Sequence, residues 1–332
     1  MWGLKNRTAY AAERNWTRDK DGVHWWLVAV KATFDIAPGG RLMLADEQPS
    51  PVLMPEYFGE PGRSSLRFDS DLLAAKPGMD ILVIAHAHAP HGKPAPTVPV
   101  AIRIGQFQKI LLVHGDRTYS RGLTGVTTTR PQLFTKRPIR YEFAFGGCDL
   151  SDPDAKKHCI DERNPIGRGF TRRAAHIVGK PAHTIEYPSG DPVDNGPAGF
   201  GPIDPSWLPR RKLAGTYDAR WEQSKKPLLP NDFDPAFALS APTDQRLQKP
   251  IVGGDMLIMQ DKGRPAGITE QWFHKKESPT AGEVRYYDNS EGRMELKRKP
   301  FDHGSTVPPC DTCDLLVPMM LCPDEVPMKC HH

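Results

Sequence analysis

The chain has 332 residues, enough for one large domain or two ordinary ones with a buried core. Its hydrophobic content of 38% is low for a globular protein, and its 34 prolines are about twice the average usage of roughly 5%, so loops should outweigh regular structure. The net charge of +4 is spread along the chain, and the basic clusters Arg172-Arg173 and Arg210-Arg211-Lys212 are short, so nucleic acid is not an expected partner.

No segment approaches 18 consecutive apolar residues, and the N-terminal Met1-Trp2-Gly3-Leu4-Lys5 lacks the apolar run of a signal peptide. The expected setting is the cytoplasm, with no membrane partner. There the six cysteines are expected as free thiols or metal ligands rather than disulfides.

Residues 24–36 alternate as a strand, with Trp26, Val28, Val30, Ala32, Phe34 and Ile36 on one face and Lys31, Thr33 and Asp35 on the other. The Ala-Pro-Gly-Gly run at 37–40 predicts a turn, and residues 41–45 are expected to pair back as a hairpin. Residues 66–77 have room for a helical turn before Pro77. The nearly continuous apolar run 79–89 reads as the central strand, with Ile81, Val83, Ala85 and Ala87 on one face and Leu82, Ile84, His86 and His88 on the other. Residues 98–105 and 107–117 predict two further strands joined at Gly105-Gln106, as in an antiparallel meander. The expected fold is mainly β, in antiparallel sheets of sandwich or barrel type, with long ordered loops and little helix.

From 138 to 234 glycine and proline recur too often for any long element. The aromatics Tyr141, Phe143, Phe145, Phe170, Phe200, Trp207, Tyr217 and Trp221 nevertheless argue for order, and a long ordered loop region points to binding. Tyr141, Arg168, Arg210, Tyr217 and Trp221 are the candidate partner contacts, because Trp, Tyr and Arg dominate interface energetics. The competing reading of such residues is internal: aromatic plugs and buried Arg–carboxylate pairs that stabilise loops. Beyond this region, 236–247 reads as a short helical or loop segment. Short strands are expected at 251–259 and 284–287, the second with a turn at 288–292 and a charged return at 293–299.

Three constellations carry possible chemistry. Cys310, Cys313, Cys322 and Cys330, followed by His331 and His332, hold one Cys-x2-Cys half-site of the kind that binds zinc, without a second such pair. Zinc is the expected cofactor if the tail is metal-ordered; the alternatives are metal-free thiols or a tail docked as a strand. His86, His88 and His91 fall at a strand end, where residues two apart share a face, as in metal-dependent hydrolases. Such a site also needs carboxylates, and the nearest is Asp80. Cys148, His158 and Cys159 lack the flanking signature of a thiol protease.

Several words in order complete the reading: Val-Ala-Val-Lys-Ala-Thr-Phe-Asp-Ile (28–36), Ser-Leu-Arg-Phe-Asp-Ser-Asp-Leu (65–72), Lys-Pro-Gly-Met-Asp-Ile-Leu-Val (76–83) and Val-His-Gly-Asp-Arg (113–117) in the first half. Tyr-Glu-Phe-Ala-Phe-Gly-Gly (141–147), Asn-Pro-Ile-Gly-Arg-Gly-Phe (164–170), Gly-Phe-Gly-Pro-Ile (199–203) and Leu-Pro-Asn-Asp-Phe-Asp (229–234) follow. Together, over residues 20–260, they resemble the DUF2169 proteins found with bacterial type VI secretion systems. The resemblance implies an adaptor or chaperone that binds a secreted effector and helps load it onto the spike through a VgrG or PAAR protein, without catalysis. The runner-up is a metal-dependent hydrolase built on His86, His88 and His91. The expected division is an adaptor domain at 1–260, a β extension at 261–309 and a Cys-rich tail at 310–332.

Overall fold

The computed structural model describes residues 3–37, 42–73, 76–104, 107–123 and 125–247, together with the backbones of three later strands. The first unit is a long antiparallel ribbon of β1 (Ala11–Arg18) and β2 (His24–Lys31), running from Ala11 opposite Lys31 to Arg18 opposite His24. Its tip is closed by Asp19, whose carboxylate accepts from the backbone N–H groups of Asp21 and Val23, with Gly22 supplying the positive φ of 83° that the turn requires. The strand expected over 24–36 is therefore two strands. Its second part, β3 (Phe34–Ile36), pairs with β4 (Leu42–Leu44), which is the hairpin expected there. The turn between them lies outside the described residues.

Next come β5 (Glu56–Tyr57) and β6 (Leu66–Phe68), paired antiparallel. No helical turn forms at the described residues 66–73 of the segment expected to hold one, because they are committed to distant partners. Leu66 is buried, Asp69 pairs with Arg210, and Asp71 accepts from the Val52 N–H at 2.7 Å.

The 79–89 run gives only β7 (Met79–Asp80) and β8 (His86–His88), not the central strand. Between them the backbone bonds to loops rather than to one ladder. Ile81 N–H donates to Gln245 O and Val83 N–H to Phe200 O, while Ala85 O accepts from Ile139 N–H. Gln245, fully buried, completes the arrangement by donating its side-chain amide to Ile81 O at 2.7 Å and Phe200 O at 2.9 Å.

The sheet centre is instead the meander expected from the next two runs. Strands β9 (Thr97–Ile104) and β10 (Phe107–His114) pair from Ile104 opposite Phe107 to Thr97 opposite His114. Alternation along β9 puts Val98, Val100, Ile102 and Ile104 inside, where they meet Leu111, Val113, Ile81, Tyr141, Phe200 and Trp207 in one core. After β11 (Tyr119–Arg121) and β12 (Val126–Thr128), strand β13 (Lys136–Pro138) pairs with β8. The central stretch then contributes only short pieces: β14 (Phe145–Gly146), β15 (Cys148–Asp149), β16 (Cys159–Ile160), β17 (Arg168–Gly169), β18 (Ile185–Glu186) and two brief helices, α1 (Pro192–Asn195) and α2 (Ala219–Ser224). Strand β19 (Arg246–Leu247) pairs with β7, and β20 (Leu257–Asp261) with β9, giving a central sheet of order β18-β10-β9-β20. Strands β21 (Glu283–Asp288) and β22 (Glu295–Pro300) form the late antiparallel pair that the sequence predicts. The protein is mainly β and antiparallel, β14–β17 being a short parallel exception, and the described sheets are open rather than closed into a barrel.

Candidate binding surface

The glycine-rich words of the central stretch pack against one another. Asn164, fully buried, donates its side-chain amide to Tyr141 O and Phe145 O at 2.9 Å each, and its own carbonyl accepts from Gly147 N–H at 2.7 Å. A Cβ on Gly146 would collide with the Asn164 carbonyl, and one on Gly167 with the Asn164 side chain. A Cβ on Gly199 would stand 2.5 Å from the Tyr141 ring, and one on Gly169 would strike the Tyr119 hydroxyl. These glycines are therefore sites of close approach that weld 141–147, 164–170 and 199–201 into one body.

A charged network lies alongside. Glu186 accepts from His114 Nε2 at 2.8 Å, from His183 Nε2 at 2.9 Å and from Arg117 Nη2 at 2.7 Å, while Tyr119 Oη meets His183 Nδ1 at 2.7 Å. Burial alone would raise the Glu186 carboxyl, but the hydrogen bonds from His114, His183 and Arg117 outweigh it and hold the group far below the usual carboxylate range. A second internal cation, Lys109, bonds to Asp244 at 2.9 Å and to the Gln245 side-chain oxygen at 2.7 Å. Burial pushes its ammonium down to about 8, against the opposing pull of Asp244. Both networks fasten β10 to the loops around it.

The five residues expected as partner contacts separate into two classes. Tyr141 and Arg210 are each only 1% exposed. The Tyr141 hydroxyl donates to Gly201 O at 3.0 Å and its ring stands edge-on to Trp207. The Arg210 guanidinium donates to Ile203 O and Phe237 O at 2.8 Å and pairs with Asp69 at 2.5 Å. A partner touching the native surface reaches neither, so for these two the internal reading is the one that describes their contacts. Arg168 is half-buried with its guanidinium 4.9 Å from the Phe143 ring centre. Tyr217 is 53% exposed and packs edge-on against Trp221, whose indole N–H donates to Leu228 O at 2.9 Å. These last two are brought together; Arg168 is not part of their pair.

His86 and His88 share a face, with ring centres 6.4 Å apart, and His91 sits beyond them in a short turn with φ of 53°. Across the ribbon, Lys136 faces His88. Burial, then Lys136, His88 and Arg140, lower the His86 pKa, so the neighbours of this pair are cations, which oppose a metal ion. Among the described residues no group of three or more His, Cys, Asp or Glu side chains could hold a metal. Cys148 is exposed and Cys159 buried; their strands pair in a register that puts them on opposite faces, and His158 is bonded to Asp152 O. Cys310, Cys313, Cys322 and Cys330 lie outside the described residues.

Sequence reasoning placed Trp26 on the apolar face of a strand and passed over Trp16 and Trp25. In the ribbon Trp16 and Trp26 oppose each other on one face while Trp25 projects from the other, and they are 55%, 56% and 50% exposed. Two of the indoles have defined contacts. Trp16 stacks on His24 with ring centres 5.6 Å apart, and the Trp25 N–H donates to Asp19 Oδ2 at 2.9 Å. Rigid aromatics at a half-exposed tip can be covered by a partner at little entropic cost, each offering on the order of 2–3 kcal/mol when desolvated. The signal available in the sequence was three tryptophans within eleven residues, interleaved with Arg14, Arg18 and His24.

The family model described as an uncharacterized protein conserved in bacteria, DUF2169, matches residues 21–264. Neither the curated proteins nor the solved structures offered a match.

Proposed function

The chain belongs to the DUF2169 family, and on that premise we propose that it is a non-enzymatic adaptor that binds a type VI secretion effector in the cytoplasm and promotes its loading onto the VgrG or PAAR spike. The observation that carries this reading is the tryptophan ribbon. Two strands presenting indoles on both faces, stiffened at the tip by Asp19 and at the base by the eight-residue ladder, make an apolar projection suited to a protein partner. The central stretch supports it in a second way, since its interlocked glycines and buried Arg210 make a stiff platform that loses little freedom on binding. No observation favours the hydrolase built on His86, His88 and His91, whose neighbours repel the metal it requires.

Co-expression with the effector and spike proteins encoded beside the gene, followed by capture on the tagged full chain, tests the reading. A stoichiometric complex is expected, and Trp16→Ser with Trp25→Ser should release it while the variant melts as the parent does. Failure of every neighbouring effector, VgrG and PAAR protein to bind at micromolar concentration, roughly −8 kcal/mol, sinks the adaptor function.

A further inference from the structure

The opposite character, positive charge without a carboxylate partner, marks a second surface on the β8–β13 ribbon. Elsewhere in the described residues Arg117 pairs with Glu186, Arg137 with Asp116, Arg163 with Asp161, Arg210 with Asp69 and Arg211 with Glu162. Lys136 and Arg140 have no ion pair among the described residues, and they stand beside His86 and His88. The register sets Lys136 opposite His88 and Pro138 opposite His86, so the two histidines and the lysine lie on one face. Lys136, His88 and Arg140 are also the charged groups that act on His86, and all three are cationic when they carry charge.

At its Arg140 end this strip meets a shallow cleft lined by Phe58, Ile84, Ile139, Arg140 and Tyr141. The Arg140 guanidinium lies 3.9 Å from the Phe58 ring centre, a contact that holds it at the rim, and Ile84 is 43% exposed at the mouth. A guanidinium suits bidentate carboxylate recognition, and an exposed Ile beside it suits an apolar side chain on the same ligand. The cleft is too small to enclose a metabolite, having room for about one water molecule, so a ligand lies across it rather than inside it.

We propose that this face binds an acidic segment of a protein partner, with carboxylates on Lys136 and Arg140 beside the His86 and His88 imidazoles and an aliphatic or aromatic side chain over Ile84 and Phe58. Charge complementarity selects carboxylates with an apolar anchor over a nucleic-acid backbone: the strip is short, it abuts apolar surface, and the chain as a whole carries only +4. The inference stands on these side chains and holds whether or not the partner is a secretion effector.

Fluorescence anisotropy with the full-length protein and two labelled synthetic peptides tests it, one alternating Glu with Leu and the other its Gln-for-Glu counterpart. The glutamate peptide should bind at least tenfold more tightly. Lys136→Glu should weaken it about tenfold and Arg140→Glu still more, whereas Lys212→Glu, a charge reversal outside the strip, should leave it unchanged. Raising salt from about 50 to 300 mM should weaken binding, as for partly exposed charge pairs. Equal binding of the two peptides, equal loss in Lys212→Glu and Lys136→Glu, or tighter binding of a single-stranded oligonucleotide than of the glutamate peptide would overturn the proposal. Because Lys136 is exposed and its side chain makes no hydrogen bond or ion pair among the described residues, its variant keeps the test valid even if Arg140→Glu disturbs the Phe58 contact.

Discussion

The welded loops of 141–210 and the tryptophan ribbon of 11–31 use the same residue types for opposite ends. In the loops, Tyr141, Trp207 and Arg210 face inward, and glycines let their neighbours close to contact distance. In the ribbon, Trp16, Trp25 and Trp26 stand half in water on a two-stranded ladder. An aromatic or an arginine thus says nothing about interface or interior until its hydrogen-bond partners are known. Arg210 finds two backbone carbonyls and a carboxylate within its own chain, whereas in the ribbon the Trp25 N–H bonds locally to Asp19 and the three rings stay half-exposed.

If the loops are a single packed body, the sharpest way to break them is at a glycine. Gly169 has φ of 105° and its missing Cβ faces the Tyr119 hydroxyl. Gly169→Ala adds about 1–3 kcal/mol of overpacking to about 1–3 kcal/mol of backbone strain, so a loss near 4 kcal/mol and a melting temperature lower by on the order of 10 °C are expected. A melting curve within about 2 °C of the parent would mean that 164–170 moves independently of Tyr119 and that the welded body does not exist. Arg210→Met should cost somewhat less, about 3 kcal/mol, by leaving Asp69 without its guanidinium and two carbonyls without donors. Its effect on partner capture, measured at a temperature where the variant is folded, should be small.

The part of this contrast that was legible in the sequence is the part set by short-range pattern. The β9–β10 meander, the β3–β4 hairpin and the β21–β22 pair follow from alternation between turns, and the loop-rich centre follows from its glycines and prolines. The 79–89 run defeated the same logic because burial and pairing came apart: Ile81 is buried, yet its backbone bonds to Gln245, 164 residues away. Arg210 depends on Asp69 at a separation of 141 residues, and no local pattern announces that. Alternation put Trp26 on an apolar face correctly but could not say whether that face meets a core or a partner.

A smaller effect, and one with a pH signature, is expected at the edge of the welded body. Glu186 has a folded-state pKa held below the ordinary glutamate value of 4.5, so the stability it contributes is present above that pH and is lost as pH falls through and below it. Glu186→Gln should cost about 2 kcal/mol at pH 7, and the gap between variant and parent should narrow as the pH falls from about 5 towards 3. Chemical denaturation across that range measures it. A gap that stays constant would show that Glu186 acts by packing alone and not by its bonds to His114, His183 and Arg117.

The ribbon predicts the smallest change in stability and a large change in binding, and that dissociation is what separates it from the loops. Trp16 is 55% exposed and its named contact is a stack on His24, so Trp16→Ser should cost no more than about 0.5–1 kcal/mol, in the range of surface substitutions. Binding should respond differently, because a rigid indole covered by a partner is the kind of residue whose truncation costs about 2 kcal/mol or more, roughly a thirtyfold loss of affinity. Thermal melts and capture of the partner on the same preparation give both numbers. Leaving capture intact at unchanged stability would remove the ribbon from the interface and shift attention to the Lys136–Arg140 face. A stability loss as large as that of Gly169→Ala would instead show that the ribbon's indoles are covered within the chain itself, and the contrast between the two regions would dissolve.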